Sequence, residues 1–304
     1  MKAALYLVKR NILIFIRDRG TVISSILSML ITLGLMFLFL GDMHSRDIIY
    51  ALEQFGGNRD AAADSANAEY LISMWTLAGI LLSNTVTVTM TAMGSIIEDE
   101  VSMRLASLYV TPVKRIGIAF GYVFSAWSIA VSMCMITLAA SQVWLAAAGQ
   151  TLLGWEACLQ LLGMIMLNAF AYAATAYLLT LFVHSVGAWN GLLTIVGTLV
   201  GFVGAIYLPV SVLPETVADI LRRLPFLHGA AMMRVVCTKE AVEKTFAGIP
   251  AEAAEIFREK MGITVVLGDG PVPFTVQAGY LLALGVLTIA AAVVISRRKS
   301  LQDR

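Results

Sequence analysis

Six stretches of this chain, residues 21–41, 70–96, 116–140, 158–183, 187–208 and 276–296, contain no Lys, Arg, Asp or Glu and are almost wholly apolar. About 20 apolar residues in a helix span the hydrocarbon core of a bilayer. An ionised side chain at its centre costs about 2.5–3.5 kcal/mol, which explains why every charge lies in a connection. Only 13% of the residues are charged and 59% are hydrophobic, against roughly 25% charged in a soluble domain. That excludes a water-facing globule. Period-2 alternation is absent, and lipid tolerates only helices or closed barrels, so the spans are helices. The expectation is an all-α membrane protein, one transmembrane domain over residues 1–304 with six transmembrane helices.

Direction follows from Lys and Arg in the short connections. The N-terminal segment, the loop after span two and the C-terminal tail hold twelve, while residues 42–69 and 141–157 hold two. Both termini are therefore expected in the cytoplasm. Residues 1–20 are not expected to be a secretory signal, because Arg17, Asp18 and Arg19 stand where a cleavage region would lie. Leu5, Val8, Ile12, Phe15 and Ile16 share one helical face, with Arg10, Asn11, Arg17 and Asp18 opposite. This is an amphipathic helix in the interface, either a simple anchor or an elbow that touches a cytoplasmic partner.

Several chemistries are excluded. Cys134, Cys158 and Cys237 have no paired spacing, and His44, His184 and His228 are too dispersed for a ligand cluster. The expected metal set and catalytic set are therefore empty. No phosphate loop precedes Lys244-Thr245 or Lys299-Ser300. A net charge of +1 without a basic patch gives no nucleic-acid signal.

Two helix faces look built for contact. On span five, Gly187, Asn190, Gly191, Thr194, Gly197, Thr198 and Gly201 share one side, with bulky residues opposite. Its two GxxxG pairs, Gly187/Gly191 and Gly197/Gly201, let helix backbones approach closely. That face either packs on another helix of the chain or lines a path or subunit interface. On span two, Asn84, Thr87 and Thr91 fall on one polar side, and Asn168, Tyr172 and Thr175 align similarly on span four. Hydroxyls can bond back to the preceding turn; asparagines are harder to hide, and the candidate path is Asn84, Thr87, Thr91, Asn190, Thr194 and Thr198.

The loop at 97–115 carries Glu98, Asp99 and Glu100, then Leu105, Leu108, Thr111 and Pro112. The three acids are read as a helix N-terminus, which favours anions; the leucines form a small apolar face, and Pro112 ends the helix. The segment resembles that of ABC-2 type transporter permeases, where acidic residues precede a Leu-x-x-Leu helix and Thr-Pro. Met103-Arg104-Leu105-Ala106 stands where that family usually has Gly-Thr-Leu-Glu. Arg17-Asp18 before span one resembles the family's connecting helix. Leu213-Pro214, Leu224-Pro225 and Arg234, within the 209–275 connection, resemble its outer re-entrant helices between spans five and six. Beyond them, 238–275 reads as an extra excursion with a helix near 251–261.

The resemblance implies the permease subunit of an ATP-driven exporter in the bacterial cytoplasmic membrane, dimeric with a second copy or a paralogue. A separate ABC ATPase would carry ATP and Mg and dock on Glu98, Asp99, Glu100, Leu105, Leu108 and Thr111; the chain itself would be no enzyme and hold no cofactor. The cargo would be a drug, antimicrobial peptide or lipid-like molecule. Two rivals are an immunity or sensor subunit that captures an extracellular peptide, and a self-sufficient channel or facilitator.

Overall fold

The computed structural model describes residues 2–35, 48–50, 52, 60–110, 115–268 and 270–302. In chain order the helices are α1 (Lys2–Arg17), α2 (Arg19–Leu35), α3 (Ala61–Val101), α4 (Arg104–Val110), α5 (Arg115–Ala147), α6 (Trp155–Thr180) and α7 (Val186–Val203). Then follow α8 (Glu215–Arg223), α9 (Pro225–Thr245), α10 (Ala251–Lys260) and α11 (Phe274–Gln302). A two-stranded antiparallel hairpin, β1 (Val266–Leu267) and β2 (Gly270–Pro271), precedes α11. Among the described residues, five helices are long and apolar enough to cross a membrane: α3, α5, α6, α7 and α11. The first expected span, 21–41, begins in α2, and its residues 36–41 lie outside the described residues.

The 41-residue α3 is the mast of the bundle, about 60 Å long at 1.5 Å per residue. Asp60 caps its start, the side chain accepting from the amides of Ala62 and Ala63. The middle of α3 carries no charge and is mostly buried, with α5, α6, α7 and α9 packed around it. Thr85 and Thr89 are buried, and their hydroxyls donate to the carbonyls of Leu82 and Thr85. Such back-bonding lets a threonine-rich helix sit inside an apolar bundle.

The core has two main parts. One, around Trp75, Leu81, Met233 and Cys237, lies where α9 packs along α3. The other, around Met93, Tyr122, Leu105 and Trp189, lies at the opposite end of α3. These are called the Arg234 end and the Asp99 end below.

Two expectations need correction. The fifth expected span, 187–208, ends as a helix at Val203: Gly204 caps it and Ala205 takes a left-handed backbone, φ 51°, turning the chain. The amphipathic helix also packs on a face rotated from the expected one. Ala4, Leu7, Val8, Asn11 and Phe15 are buried, whereas Leu5 and Ile16 are exposed. The reason is α5, against which α1 lies. Asn11 reaches Ser125 across that contact, its Nδ2 donating to Oγ at 3.3 Å, so a residue assigned to the polar face is buried.

Leu7 fills the notch left by Gly121, where a Cβ would stand 2.6 Å from Leu7 Cδ2. Gly121→Ala is therefore expected to cost about 1–3 kcal/mol through overpacking, seen as a lowered unfolding temperature of the purified chain. Adding Leu7→Ala should restore part of that loss. A double variant no more stable than Gly121→Ala would show that α1 is not seated there.

Candidate functional site

The acidic triplet closes α3 rather than opening a helix. Glu98, Asp99 and Glu100 sit in its last turn, where the carbonyl ends repel anions, so the expected stabilisation by a helix N-terminus is corrected to the opposite sign. Cations and donors from other elements compensate. Asp99, 2% exposed, accepts two bonds from the Arg10 guanidinium of α1, at 2.6 and 2.7 Å. Tyr122 of α5 donates its hydroxyl to Asp99 Oδ2 at 2.6 Å, and Arg104 Nε approaches Oδ1 at 3.3 Å. One carboxylate thus joins α1, α3, α4 and α5. The bidentate pairing holds the Arg10 guanidinium protonated more firmly than usual.

Glu100 is held by His184 in the turn between α6 and α7, with Nδ1 to Oε1 at 2.8 Å. Glu98 is exposed. The break between α3 and α4 is made at Met103, whose φ of 58° is left-handed. A non-glycine residue there is strained by about 1–2 kcal/mol, and the related motif has glycine at this position. The kink brings Arg104 back to Asp99. Leu105 is buried and Leu108 half-buried against the bundle, while Val101, Met103, Ala106 and Ser107 are exposed. Of the residues expected to dock an ATPase, Asp99 and Leu105 therefore face inward, and Thr111 lies outside the described residues. Sequence reasoning missed Arg10 and Tyr122 as partners; Arg10's place on the polar side of an amphipathic helix was the only signal.

The candidate path residues divide. Asn84 reaches α5, its Nδ2 donating to Thr137 Oγ1 at 2.9 Å. Thr87 and Thr91 are half-buried on the α7 side; a Cβ on Gly197 would lie 3.8 Å from Thr87 Cγ2. On α7 part of the bulky side packs inward, with Trp189 and Val200 buried and Trp189 Nε1 donating to Met90 O at 3.2 Å, while Ile195, Leu199 and Phe202 are exposed. Asn190, Thr194 and Thr198 are exposed. At Gly187 and Gly191 a Cβ would meet nothing within 4 Å, while at Gly201 it would collide with the chain's own Tyr207 ring. Among the described residues, nothing covers the two glycines in the first half of the small face.

At the Arg234 end, α9 covers the polar faces of α3 and α6, with Gly229 pressed against Asn168 and Leu82. Arg234 is fully enclosed. Its Nη2 donates to the carbonyls of Gly204 at 3.0 Å and Ala205 at 2.6 Å, and its Nη1 to Gly262 O at 3.2 Å. The guanidinium lies 4.6 Å from the centre of the Trp75 ring, and Trp75 Nε1 donates to Met261 O at 2.7 Å. Arg234 therefore caps the carbonyl end of α7, where a cation is favoured.

These apolar, charge-sorted helices define a multi-pass membrane protein. The sequence matches the ABC-2 family transporter proteins over residues 58–294, more than half of its length, and the chain belongs to that family. It is accordingly a membrane permease of an ABC transporter, and such permeases associate with an ABC ATPase. No curated protein matches the chain.

Proposed function

We propose that this chain is the permease subunit of an ATP-driven exporter, paired across α7 with a second copy or a paralogue, that moves a hydrophobic or amphipathic molecule outward. The Asp99 end is cytoplasmic on this reading, as are both termini. α2 provides the first of six spans, and α8 and α9 are outer re-entrant helices. The observation that carries the reading is the exposure of Gly187, Asn190, Gly191 and Thr194, with no described residue of the chain within 4 Å of a Cβ placed on either glycine. A small polar stripe facing lipid gains little, whereas facing a second helix it permits close backbone approach.

The ATPase docks on the surface around α4, and ATP with Mg belongs to that partner. Because Asp99 binds α1, α4 and α5 to α3, a push on α4 moves these elements as one body. ATP must favour the outward-open pair over the closed one by its differential binding to the two states.

Reconstitution of the chain with its ATPase tests this reading. Export should require ATP hydrolysis; solute moved downhill by the chain alone would establish the facilitator reading instead. Gly187→Trp with Gly191→Trp should leave the single chain folded, since both sites are open, yet reduce pairing and transport about tenfold or more. Unaltered transport and pairing would remove α7 from the interface. Gly201→Trp should instead destabilise the chain, because Tyr207 already fills that site.

A further inference from the structure

At the Asp99 end, residues of α1, α2, α3 and α7 line a half-open cavity of about 230 Å3. Its walls combine three kinds of side chain. Phe15 and Trp189 line it as nearly buried aromatics, Thr91 and Asn190 supply neutral polar groups, and Asp18 and Glu98, both exposed, form a charged rim, with no Lys or Arg among the described lining residues. This sorting runs against the local sequence, because Arg10, Arg17 and Arg19 surround Asp18 along the chain. Arg10 is turned to Asp99, and Arg17 and Arg19 are exposed outside the lining. The Thr21 amide and hydroxyl donate to Asp18 at 3.1 and 2.6 Å, so the carboxylate is fixed in place and held below the usual carboxylate range. The Trp189 indole is fixed by its bond to Met90 O, and Gly94 leaves room for it: a Cβ there would lie 3.4 Å from Trp189 Nε1.

Two carboxylates without a basic lining residue suit a cation, and the apolar wall of Ile14, Phe15, Trp189 and Leu193 favours a weakly hydrated one. An anion would meet two like charges. The cavity holds a head group rather than a whole drug-sized molecule, for which about 300–1,000 Å3 is usual. Asn190 and Leu193 belong both to its wall and to α7, so the cavity opens onto the helix whose first two glycines are uncovered among the described residues.

We propose that this cavity binds the cationic head of an amphipathic amine or quaternary ammonium, with the apolar tail lying along α7. The proposal names the substrate class of the exporter and rests on that reading for the movement of the ligand, but not for its binding.

The test measures binding to the full chain in phosphatidylcholine nanodiscs by equilibrium dialysis, with empty discs subtracted. The probes are decyltrimethylammonium, the net-neutral decyldimethylamine oxide and decyl sulfate, each below its micellar concentration. The cation should bind saturably, the amine oxide about tenfold more weakly, and decyl sulfate no better than to empty discs. Glu98→Gln with Asp18→Asn should abolish the preference for the cation; asparagine keeps an oxygen for the Thr21 amide, so α2 stays capped. If that variant does not fold, Asn190→Trp, which fills the mouth from the exposed side of α7, should remove saturable binding of the cation. Equal binding of cation and anion overturns the proposal, as does cation binding that survives either folded variant. Transport is read separately in the ATPase complex: cation bound but never moved would contradict the exporter reading and leave the cavity standing.

Discussion

Asp99→Ala is expected to destabilise the chain by about 2–4 kcal/mol and to uncouple the ATPase from transport. The loss has two sources. The Arg10 guanidinium loses a bidentate partner at 2.6 and 2.7 Å, and the Tyr122 hydroxyl loses its acceptor inside the bundle. Fully buried pairs lose about 3–5 kcal/mol when one partner is removed; here the Arg10 side chain is 32% exposed, and water recovers part of the cost. Arg10→Ala should be similarly harmful. The double variant should be little worse than either single one, because both remove the same interaction. Chemical unfolding of the purified chain measures the cycle. ATPase activity should persist in the assembled complex while transport falls, since the outward residues of α4 are unchanged. Additive losses in the cycle would show that Asp99 and Arg10 act independently.

Arg234→Ala is expected to cost about 3–5 kcal/mol. It leaves the carbonyls of Gly204, Ala205 and Gly262 without their donor, each a loss of about 1–3 kcal/mol if buried, and opens a cavity beside Trp75. Arg234→Lys should recover only part of this. One ammonium cannot reproduce a planar fork that reaches both the end of α7 and the turn at Gly262. The damage should be local first: hydrogen exchange should quicken at 204–210 and 261–265 before it does in α5. Unfolding temperatures unchanged in both variants would mean that water, or a rearranged backbone, satisfies those carbonyls without help.

The spans were legible because lipid punishes charge, and charge is visible residue by residue. The start of α7 followed the same logic, whereas α3 runs past its expected span 70–96 at both ends and takes in charged residues. What the sequence hid was phase and partnership. Glu98, Asp99 and Glu100 are alike on paper, yet successive residues of a helix point 100° apart, so one is exposed, one sealed and one paired to His184. The partner of Asp99 lies 89 residues away, on a helix whose apolar side was itself ambiguous because α1 is apolar both towards α5 and away from it. Span five showed its two faces plainly. Which one met the bundle depended on Trp189 finding Met90, a long-range contact that no periodicity encodes. Arg234 stood out in the sequence only through its resemblance to the outer re-entrant helices, and packing by α3, α7 and α9 made it a cap.

On the proposed function, an ATPase subunit drives this permease through the surface around α4. Met103, 71% exposed beside the kink, is the position from which to measure it. A photo-crosslinking amino acid placed at Met103 should capture the co-expressed ATPase, and the same group at the exposed Leu267 of the hairpin should not. Capture from Leu267 and none from Met103 would put the partner at the other end of the molecule and contradict the account.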